Sequence, residues 1–303
     1  MTWIPDSIPA AQRARLPIHL RYEDVCQDGR LPLLGIPPAA TALWGTLISH
    51  HSLAQELPRL GVLPILSRIV IEGHGGPIAV LPPVDVDCAF QLAHGVDARG
   101  EVNRLYLNSW IAITGTLGRT HGPQPADAGR PVLVGQFFSE SVFTRPFAPP
   151  AERKVLRFGC PGLPDLPPDR HESPAPERLL DLPAGAVALE PALAEDAAPL
   201  AFGLMHTDSN QHVNSLVYPR LFEEAALRRF AALGLGHRVL GRRVEVAYRK
   251  PAFAGDVLRI RLRTGREDTG TDGDARLHAV GLFVSEGSAD AKPHGYLRMT
   301  FAP

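Results

Sequence analysis

Long apolar runs are missing from this chain of 303 residues, and none approaches the roughly 18 residues that indicate a membrane-spanning helix. The opening segment from Met1 to Leu16 also lacks the apolar stretch of a signal peptide, since prolines and charged residues interrupt it. Hydrophobic residues make up 45% of the chain and charged residues 21%, which is the balance of an ordinary globular protein. We therefore expect a soluble protein that is long enough for two domains.

Cysteine is scarce, and the three cysteines, Cys26, Cys88 and Cys160, have no paired spacing. Their spacing argues against a disulfide framework and against a zinc site, and it favours the reducing cytoplasm. The chain also lacks the Gly-x-Ser-x-Gly motif of serine hydrolases, a glycine-rich phosphate loop and a His-Glu-x-x-His motif. We therefore expect neither a metal nor a cofactor.

The clearest pattern that is present runs from Asp208 to Asn214 and reads Asp-Ser-Asn-Gln-His-Val-Asn, just before a stretch of helical spacing. If this segment is extended, alternate side chains share a face, so Asp208, Asn210 and His212 lie together. A helix N-terminus beside them would favour developing negative charge, because its first backbone N–H groups have no partner within the helix. The pattern predicts a catalytic site, although such residues before a helix are also common in turns and caps.

The run resembles the signature of the hotdog-fold thioesterases, most closely the Asp-x-Asn-x-His-Val-Asn-Asn run of the acyl-acyl-carrier-protein (acyl-ACP) thioesterases, and only Ser215 departs from it. The resemblance implies an α+β fold in which a curved antiparallel sheet wraps a long helix, with the thioester between two such units. It also implies that Asp208, Asn210 and His212 hydrolyse an acyl thioester without a cofactor. Glu224 matches a glutamate on the helix of that family and is a secondary catalytic candidate.

One departure from the family follows the strand after the helix. Acyl-ACP thioesterases carry a Glu-Cys pair there, whereas this chain reads Lys250-Pro251-Ala252, which resembles the broader acyl-CoA thioesterases. A mechanism that needs a cysteine nucleophile at that place is therefore in doubt. We expect the backbone N–H groups of Val213 and Asn214 to polarise the carbonyl, with His212 as the general base and Asp208 orienting it or the water. The reverse assignment and direct attack by the carboxylate stay open.

The second half of the chain has the pattern of one helix and several strands. Apolar residues recur at helical spacing at Tyr218, Phe222, Ala226, Phe230 and Leu233, before a glycine stop at Gly234 and Gly236. Alternating residues then predict strands at 244–248, 258–262, 277–284 and 295–301. The first two of these are expected to form a hairpin around Gly255-Asp256, and a fifth strand is expected before the helix, from Leu200 to Met205.

The first half repeats this order of elements. A helix-like run from Ala39 to Leu60 precedes strand-like runs at 65–71, 84–92, 104–114 and 132–143. Asp24 aligns with the motif aspartate, but Cys26 and Asp28 replace the amide and the imidazole, so we interpret this segment as a polar turn rather than a second carboxylate site. A tandem (double) hotdog explains the repeat. We assign 1–145 to a degenerate N-terminal hotdog, 146–191 to a proline-rich linker and 192–303 to the C-terminal hotdog with the catalytic motif.

The net charge of −1 conceals a basic region from Arg220 to Arg266, which has twelve basic residues against four acidic ones. A solvated sheet face would explain the alternating arginines of the predicted strand at 258–262. The candidates for binding coenzyme A phosphates, or the acidic helix of a carrier protein, are Arg242, Arg243, Arg249 and Lys250. Nucleic acid is a weaker alternative because no known motif accompanies the charge.

The sequence therefore predicts a thioesterase that releases a free acid and a thiol from acyl-ACP or acyl-CoA. Two alternatives stay open: a non-catalytic acyl-binding or carrier-docking hotdog protein, and an acyl-thioester dehydratase that would remove a proton from carbon. The acyl chain, the choice of carrier and a homodimer of double hotdogs are open as well. No membrane partner is expected.

Overall fold

The computed structural model describes residues 3–236, 238–268, 275–287 and 292–303. The chain divides into two compact units, Met1–Pro174 and Ala175–Pro303. The boundary between them falls inside the proline-rich segment 146–191. Each unit contains one antiparallel sheet and its own helical segment.

The sheet of the first unit contains six strands. They are β1 (Arg13–Ile18), β2 (Leu63–Gly73), β3 (Val84–Val96), β4 (Val102–Thr116), β5 (Pro131–Thr144) and the short β6 (Asp169–Arg170). The order in space is β1-β3-β4-β5-β2, all antiparallel, and β6 pairs with β3 in parallel. The four strands that alternation predicts here are confirmed. β1 escapes prediction because it is short and contains a proline, although Ala14, Leu16 and Ile18 do alternate with Arg13, Arg15 and Pro17.

The helical region of the first unit is broken. Where the sequence predicts one helix from Ala39 to Leu60, the structure has α1 (Ala40–Leu43), a π-helical turn, α2 (Ser52–Gln55) and a 3₁₀ turn. His51 marks one break, because its backbone is extended and its Nδ1 accepts a hydrogen bond from the N–H of Leu53 at 3.2 Å. The continuous helix is therefore wrong, since apolar periodicity survives such breaks and does not reveal them.

The segment that aligns with the motif in the first half is a polar turn, as interpreted from the sequence. Asp24 pairs with Arg21 at 2.7 Å, and Asp28 accepts a hydrogen bond from the N–H of Arg30 at 3.0 Å. Gly29 has a φ of 86°, in the left-handed region that glycine adopts without strain. Each carboxylate thus has its own arginine partner.

The sheet of the second unit has the same strand order. Its strands are β7 (Val187–Ala188), β8 (Ala194–Glu195), β9 (Leu200–Ala201), β10 (Leu240–Tyr248), β11 (Val257–Asp268), β12 (Ala275–Ser285) and β13 (Gly295–Ala302). The long strands lie in the order β11-β12-β13-β10, as β3-β4-β5-β2 do in the first unit. β7, β8 and β9 pair with β11, at the place where β1 pairs with β3.

Two expectations about this second sheet are wrong. β10 and β11 do not form a hairpin, because β10 pairs with β13 and β11 pairs with β12. Alternation identifies a buried face, but it carries no information about which strands are partners. The strand expected from Leu200 to Met205 is reduced to the two residues of β9. A 3₁₀ turn follows it at Leu204–His206, in which Leu204 and Met205 are exposed.

The helix of the second unit, α3 (Val217–Ala232), buries the predicted apolar stripe. Tyr218, Phe222, Ala226 and Phe230 are buried, whereas Leu233 lies just beyond the helix. Pro219 is the third helical residue, where a backbone N–H would have no partner within the helix. The helix ends before Gly234, which has a φ of 71°.

Close packing fixes α3 against β12. A Cβ placed on Gly281 would lie 2.8 Å from the ring of Phe222, so glycine at this position lets the helix approach the strand. Two residues further along β12, the ring of Phe283 lies 5.1 Å from that of Tyr218. Residues 281, 283 and 285 therefore share the face of β12 that is turned toward α3.

Candidate active site

The motif residues 208–211 form a tight turn rather than an extended segment. The N–H of Gln211 donates to the carbonyl oxygen of Asp208 at 2.9 Å, and the N–H of Asp208 donates to that of His212 at 3.2 Å. Gln211 has a φ of 66°. Asp208, Asn210 and His212 therefore do not share a strand face, because Asn210 is exposed whereas the other two are half-buried. The polar side chains supply the hydrogen bonds that favour the turn.

The carboxylate of Asp208 organises this turn. Its Oδ1 accepts a hydrogen bond from the N–H of Asn210 at 2.9 Å, and its Oδ2 accepts one from Nδ2 of Asn214 at 3.1 Å. The first oxygen thus stabilises the turn, and the second connects the turn to Asn214 before the helix. The role that this geometry gives to Asp208 is to hold Asn210 and Asn214 in position.

Asn214 links the turn to the start of α3. Its Oδ1 accepts a hydrogen bond from the N–H of Leu216 at 2.8 Å, and its carbonyl oxygen accepts one from the N–H of Val217 at 3.0 Å. Sequence reasoning assigns Asn214 only a backbone role and misses this side chain. The signal was available, because asparagine shortly before a helix is a favoured capping residue.

The two backbone N–H groups expected to polarise a substrate carbonyl already have partners. The N–H of Val213 donates to the carbonyl oxygen of Ala252 at 2.8 Å, and the N–H of Asn214 donates to that of His206 at 2.8 Å. Each N–H has a single hydrogen to donate. The structure therefore corrects the assignment of these two groups as oxyanion donors.

The imidazole of His212 is half-buried, and its two nitrogens differ. Nδ1 lies 3.2 Å from the carbonyl oxygen of Val213. Because a carbonyl oxygen only accepts, this contact favours the tautomer with hydrogen on Nδ1 and leaves Nε2 as the proton acceptor. In the described part of the chain, no hydrogen bond joins the side chains of Asp208 and His212. Asp208 therefore orients the turn that carries the imidazole, rather than the imidazole itself.

Glu224 lies on the exposed side of α3. Its carboxylate is 4.0 Å from Arg220, one helical turn earlier, and both side chains are about half exposed. Among the residues that the structure describes, no hydrogen bond or ion pair joins Glu224 to the turn residues. The preceding carboxyl, Glu223, is the less exposed of the two, and burial together with the charge of Glu224 raises its pKa above the usual value.

The predicted basic residues fall into two groups. Arg242 donates to the carbonyl oxygen of Pro303 at 3.2 Å, and Arg243 pairs at 3.1 Å with the buried Glu245, which also binds Arg298 at 2.8 Å. These two arginines hold strand ends and a buried carboxylate. Arg249 and Lys250 instead follow β10 and are exposed.

Most of the positive charge counted along the sequence is neutralised in space. Ion pairs with acidic residues join Arg220 to Glu224, Arg228 to Asp196, Arg229 to Glu190, Arg259 to Glu286 and Arg266 to Asp268. Arg249 and Lys250 make no ion pair among the residues that the structure describes. The basic surface beside the turn is therefore much smaller than the sequence suggests.

Aromatic packing holds the start of α3 on the sheet. The ring of Tyr218 contacts those of Phe202, Tyr248 and Phe283, and the hydroxyl of Tyr248 donates to the carbonyl oxygen of Ser215 at 2.8 Å. Burial raises the pKa of Tyr218 to about 12. The phenol is therefore neutral at physiological pH and stabilises the position of the turn.

The described ranges contain neither a candidate metal centre nor a helix suited to span a membrane. No group of three or more His, Cys, Asp or Glu side chains there is arranged to hold a metal ion. Among the helices of those ranges, none combines the length and the apolar character needed to cross a bilayer.

The motif segment matches a known family model, and the whole chain aligns with solved structures. Residues 210–267 match the family model of the thioesterase superfamily. The chain also aligns with the crystal structure of an acyl-ACP thioesterase from Bacteroides thetaiotaomicron, with a TM-score of 0.56 and 15% identity over 96% of this chain and 98% of that one. A 12:0-ACP thioesterase from Umbellularia californica gives a TM-score of 0.57 and 14% identity over 96% and 95%.

A search of curated proteins finds no match to this sequence. At 14% to 15% identity, the structural likenesses establish the fold alone. The chain has the fold of these thioesterases, and the resemblance to the hotdog-fold thioesterases that the motif predicts is confirmed.

Proposed function

We propose that this protein hydrolyses an acyl thioester to a free acid and a thiol. The observation that carries the proposal is the geometry of His212, whose Nδ1 faces a carbonyl oxygen while Nε2 is left to accept a proton. This imidazole stands beside an ordered turn at the N-terminus of a helix of 16 residues. A general base and a site that favours negative charge are the two elements that hydrolysis of a thioester needs.

The proposed mechanism uses water as the nucleophile. Nε2 of His212 takes a proton from water as its oxygen attacks the thioester carbonyl carbon, and the N-terminal end of α3 stabilises the charge on the carbonyl oxygen. The C–S bond then breaks, and the proton goes to the leaving thiolate. Asp208 acts by holding the turn and Asn214 in place, and the exposed amide of Asn210 is available to a substrate from solvent.

The proposed substrates are acyl-ACP or acyl-CoA. The two structural relatives are an acyl-ACP thioesterase and a 12:0-ACP thioesterase, which supports an acyl carrier protein as one carrier. Arg249 and Lys250 are exposed cations without an ion-pair partner among the described residues, so they suit phosphate oxygens or acidic side chains. Of the four basic candidates, Arg242 and Arg243 have structural partners and are the weaker choices.

We also propose a tandem hotdog architecture in which the first unit is the degenerate copy. The support is the repeated order β3-β4-β5-β2 and β11-β12-β13-β10, each following a helical segment. In the first unit the aligned turn has Cys26 and Asp28 where the second has Asn210 and His212. The division into 1–145, 146–191 and 192–303 belongs to this proposal, as does the possibility of a homodimer.

The test is incubation of the full chain with panels of acyl-CoA and acyl-ACP, with free thiol and acid measured over time. Release of both in equal amounts supports hydrolysis. A new carbon–carbon double bond without thiol release would indicate a dehydratase, and saturable binding without turnover would indicate a docking protein. Either of these two results overturns the proposal.

A further inference from the structure

A second polar cluster lies in the second unit, where three adjacent strands of the sheet begin or end. Lys250 follows β10, Ser285 ends β12 and His294 precedes β13. Because β13 lies between β10 and β12 and is antiparallel to both, the end of β10, the end of β12 and the start of β13 come together. The backbone fixes His294 there, since its N–H donates to the carbonyl oxygen of Phe283 at 2.8 Å and its carbonyl oxygen accepts from the N–H of Arg249 at 2.9 Å.

Within this cluster, a hydroxyl lies against a buried imidazole. Oγ of Ser285 is 3.0 Å from Nε2 of His294, and Nζ of Lys250 is 3.5 Å from the same oxygen. His294 is 2% exposed, whereas Ser285 is half-buried. Burial and the charge of Lys250 lower the pKa of His294, so the ring is neutral at physiological pH and can accept a proton.

The packing of α3 on β12 indicates which end of the helix the cluster faces. Gly281 faces Phe222 and Phe283 faces Tyr218, so the helix and the strand run in opposite directions. Two strand residues rise by about 6.6 Å, and four helical residues rise by about 6 Å. Ser285 lies two residues further along the same face of β12, in the direction of the N-terminal end of α3.

We propose that Ser285 is a second nucleophile of this protein, activated by His294, and that it takes up the acyl group of an activated ester or thioester. The contact of a hydroxyl with a neutral imidazole at hydrogen-bond distance is the arrangement that such a nucleophile requires. The ammonium group of Lys250 stabilises negative charge that develops on Oγ of Ser285 as the proton leaves. This activity goes beyond the proposed hydrolysis by water, because it uses neither Asp208 nor His212.

The reaction balances with water as the only co-reactant. Nε2 of His294 takes the hydroxyl proton while Oγ of Ser285 forms a bond to the acyl carbon, and the bond from that carbon to sulfur or oxygen breaks. His294 returns the proton to the departing thiolate or alkoxide. Water then attacks the acyl–Ser285 ester, His294 again takes a proton, and the acid leaves as the hydroxyl is restored.

The test is labelling of the full chain with a fluorophosphonate probe, with the adduct located by peptide mass spectrometry. We expect one adduct, on Ser285, and none in Ser285→Ala. His294→Asn should slow labelling by about 100-fold, as loss of a general base does. Ser141→Ala is the matched control, since Ser141 is a half-buried serine on β5, and labelling should continue at the normal rate. Folding of each variant is checked by circular dichroism.

A second measurement covers the case in which His294→Asn fails to fold. Ser285→Cys keeps the shape and a nucleophile, and it should react with iodoacetamide faster than Cys26 and Cys160 in the same chain. Absence of labelling on Ser285 in the wild type, or equal labelling of Ser285→Ala, overturns the proposal. Thiol release with no adduct would reject the Ser285 nucleophile alone, whereas an adduct without thiol release from any acyl thioester would reject the proposed function alone.

Discussion

Oδ2 of Asp208 and Nδ2 of Asn214 are 3.1 Å apart, and this contact joins the motif turn to the start of α3. On one side, Asp208 also holds the N–H of Asn210, and on the other, Asn214 holds the N–H groups of Leu216 and Val217. The two side chains thus form a continuous chain of hydrogen bonds from the turn to the helix. The position of His212 within the turn depends on that chain.

Loss of this contact should lower turnover through misplacement of the imidazole. Asp208→Ala and Asn214→Ala are each expected to reduce kcat by about 100-fold with a smaller effect on KM, since a small displacement of a catalytic group has a cost of that order. The double variant should lose little more than either single one, because both remove the same contact. Thiol release measures the effect. Multiplicative losses, or a normal rate in Asp208→Ala, would contradict this account.

Removal of the imidazole should have a different signature. His212→Gln keeps a polar side chain but no general base, so kcat for thiol release should fall by about 10² to 10⁴. The control is His206→Gln, because the Nδ1 of this neighbouring histidine accepts a backbone hydrogen bond from Gly203 at 3.0 Å and has no part in the proposed mechanism. We expect near-normal turnover in the control. A His212→Gln enzyme of full activity would exclude His212 as the base.

The sequence predicts the repeating elements of this protein better than it predicts their connections. Apolar alternation locates β2 to β5 and β10 to β13, and the helical stripe locates α3, because burial of one face is written directly into residue order. Strand partners depend on contacts between distant segments. The hairpin expected around Gly255 is therefore wrong, and the shared strand order of the two units is visible only in space.

For the candidate site too, the sequence predicts the location but not the geometry. The motif residues indicate its place in the chain, but their extended geometry is wrong, since the hydrogen bonds of Asp208 and the positive φ of Gln211 make a turn. The basic region also differs in space, because several of its acidic partners come from residues outside the counted stretch, namely 190, 195, 196 and 286. Neither the turn type nor those pairings follow from local composition.

The family resemblance makes Glu224 a catalytic candidate, whereas its exposed position predicts that its substitution has little effect. Glu224 is about half exposed and pairs only loosely with Arg220, so Glu224→Gln should leave kcat nearly unchanged and alter the free energy of unfolding by less than about 0.5 kcal/mol. Thiol release and urea unfolding measure the two quantities. A loss of turnover of 100-fold or more, on the scale of about 10² expected for an acid–base group, would restore Glu224 as a catalytic residue.

In the first unit, a buried carboxyl that accepts several hydrogen bonds should make stability depend on pH. Glu140 is 1% exposed, and its Oε2 lies 2.7 Å from Nε2 of His171. Burial opposes ionisation of the carboxyl, but hydrogen bonds from His171, Ser67 and Ser173 outweigh it and hold the pKa of Glu140 below its usual value. A carboxyl with a lowered folded-state pKa stabilises the protein above its unfolded-state value of about 4.3, and this contribution is lost as the pH falls through the folded-state value.

Glu140→Gln should therefore lower the free energy of unfolding at pH 7 by about 3 kcal/mol, because it weakens the hydrogen bonds that a buried, charged carboxylate accepts. It should also flatten the decline in stability below about pH 4.3. Urea unfolding at several pH values measures both effects. Exposed Asp165, which pairs with Arg157 at 2.7 Å, provides the control, and Asp165→Asn should change stability little. An unchanged pH profile in Glu140→Gln would show that this carboxyl does not set the acid stability.

The two groups of basic residues can be separated by what each substitution changes. Arg249 is exposed and has no ion-pair partner in the described ranges, so Arg249→Ala should raise KM for acyl-CoA or acyl-ACP without loss of stability. The effect should shrink as salt is raised, because screening weakens exposed charges.

Arg243 faces the buried Glu245, so Arg243→Ala should lower the free energy of unfolding instead. Steady-state kinetics at two ionic strengths, together with urea unfolding of both variants, measure this difference. A KM that rises equally in both variants, or that ignores salt in Arg249→Ala, would remove Arg249 from the substrate-binding surface.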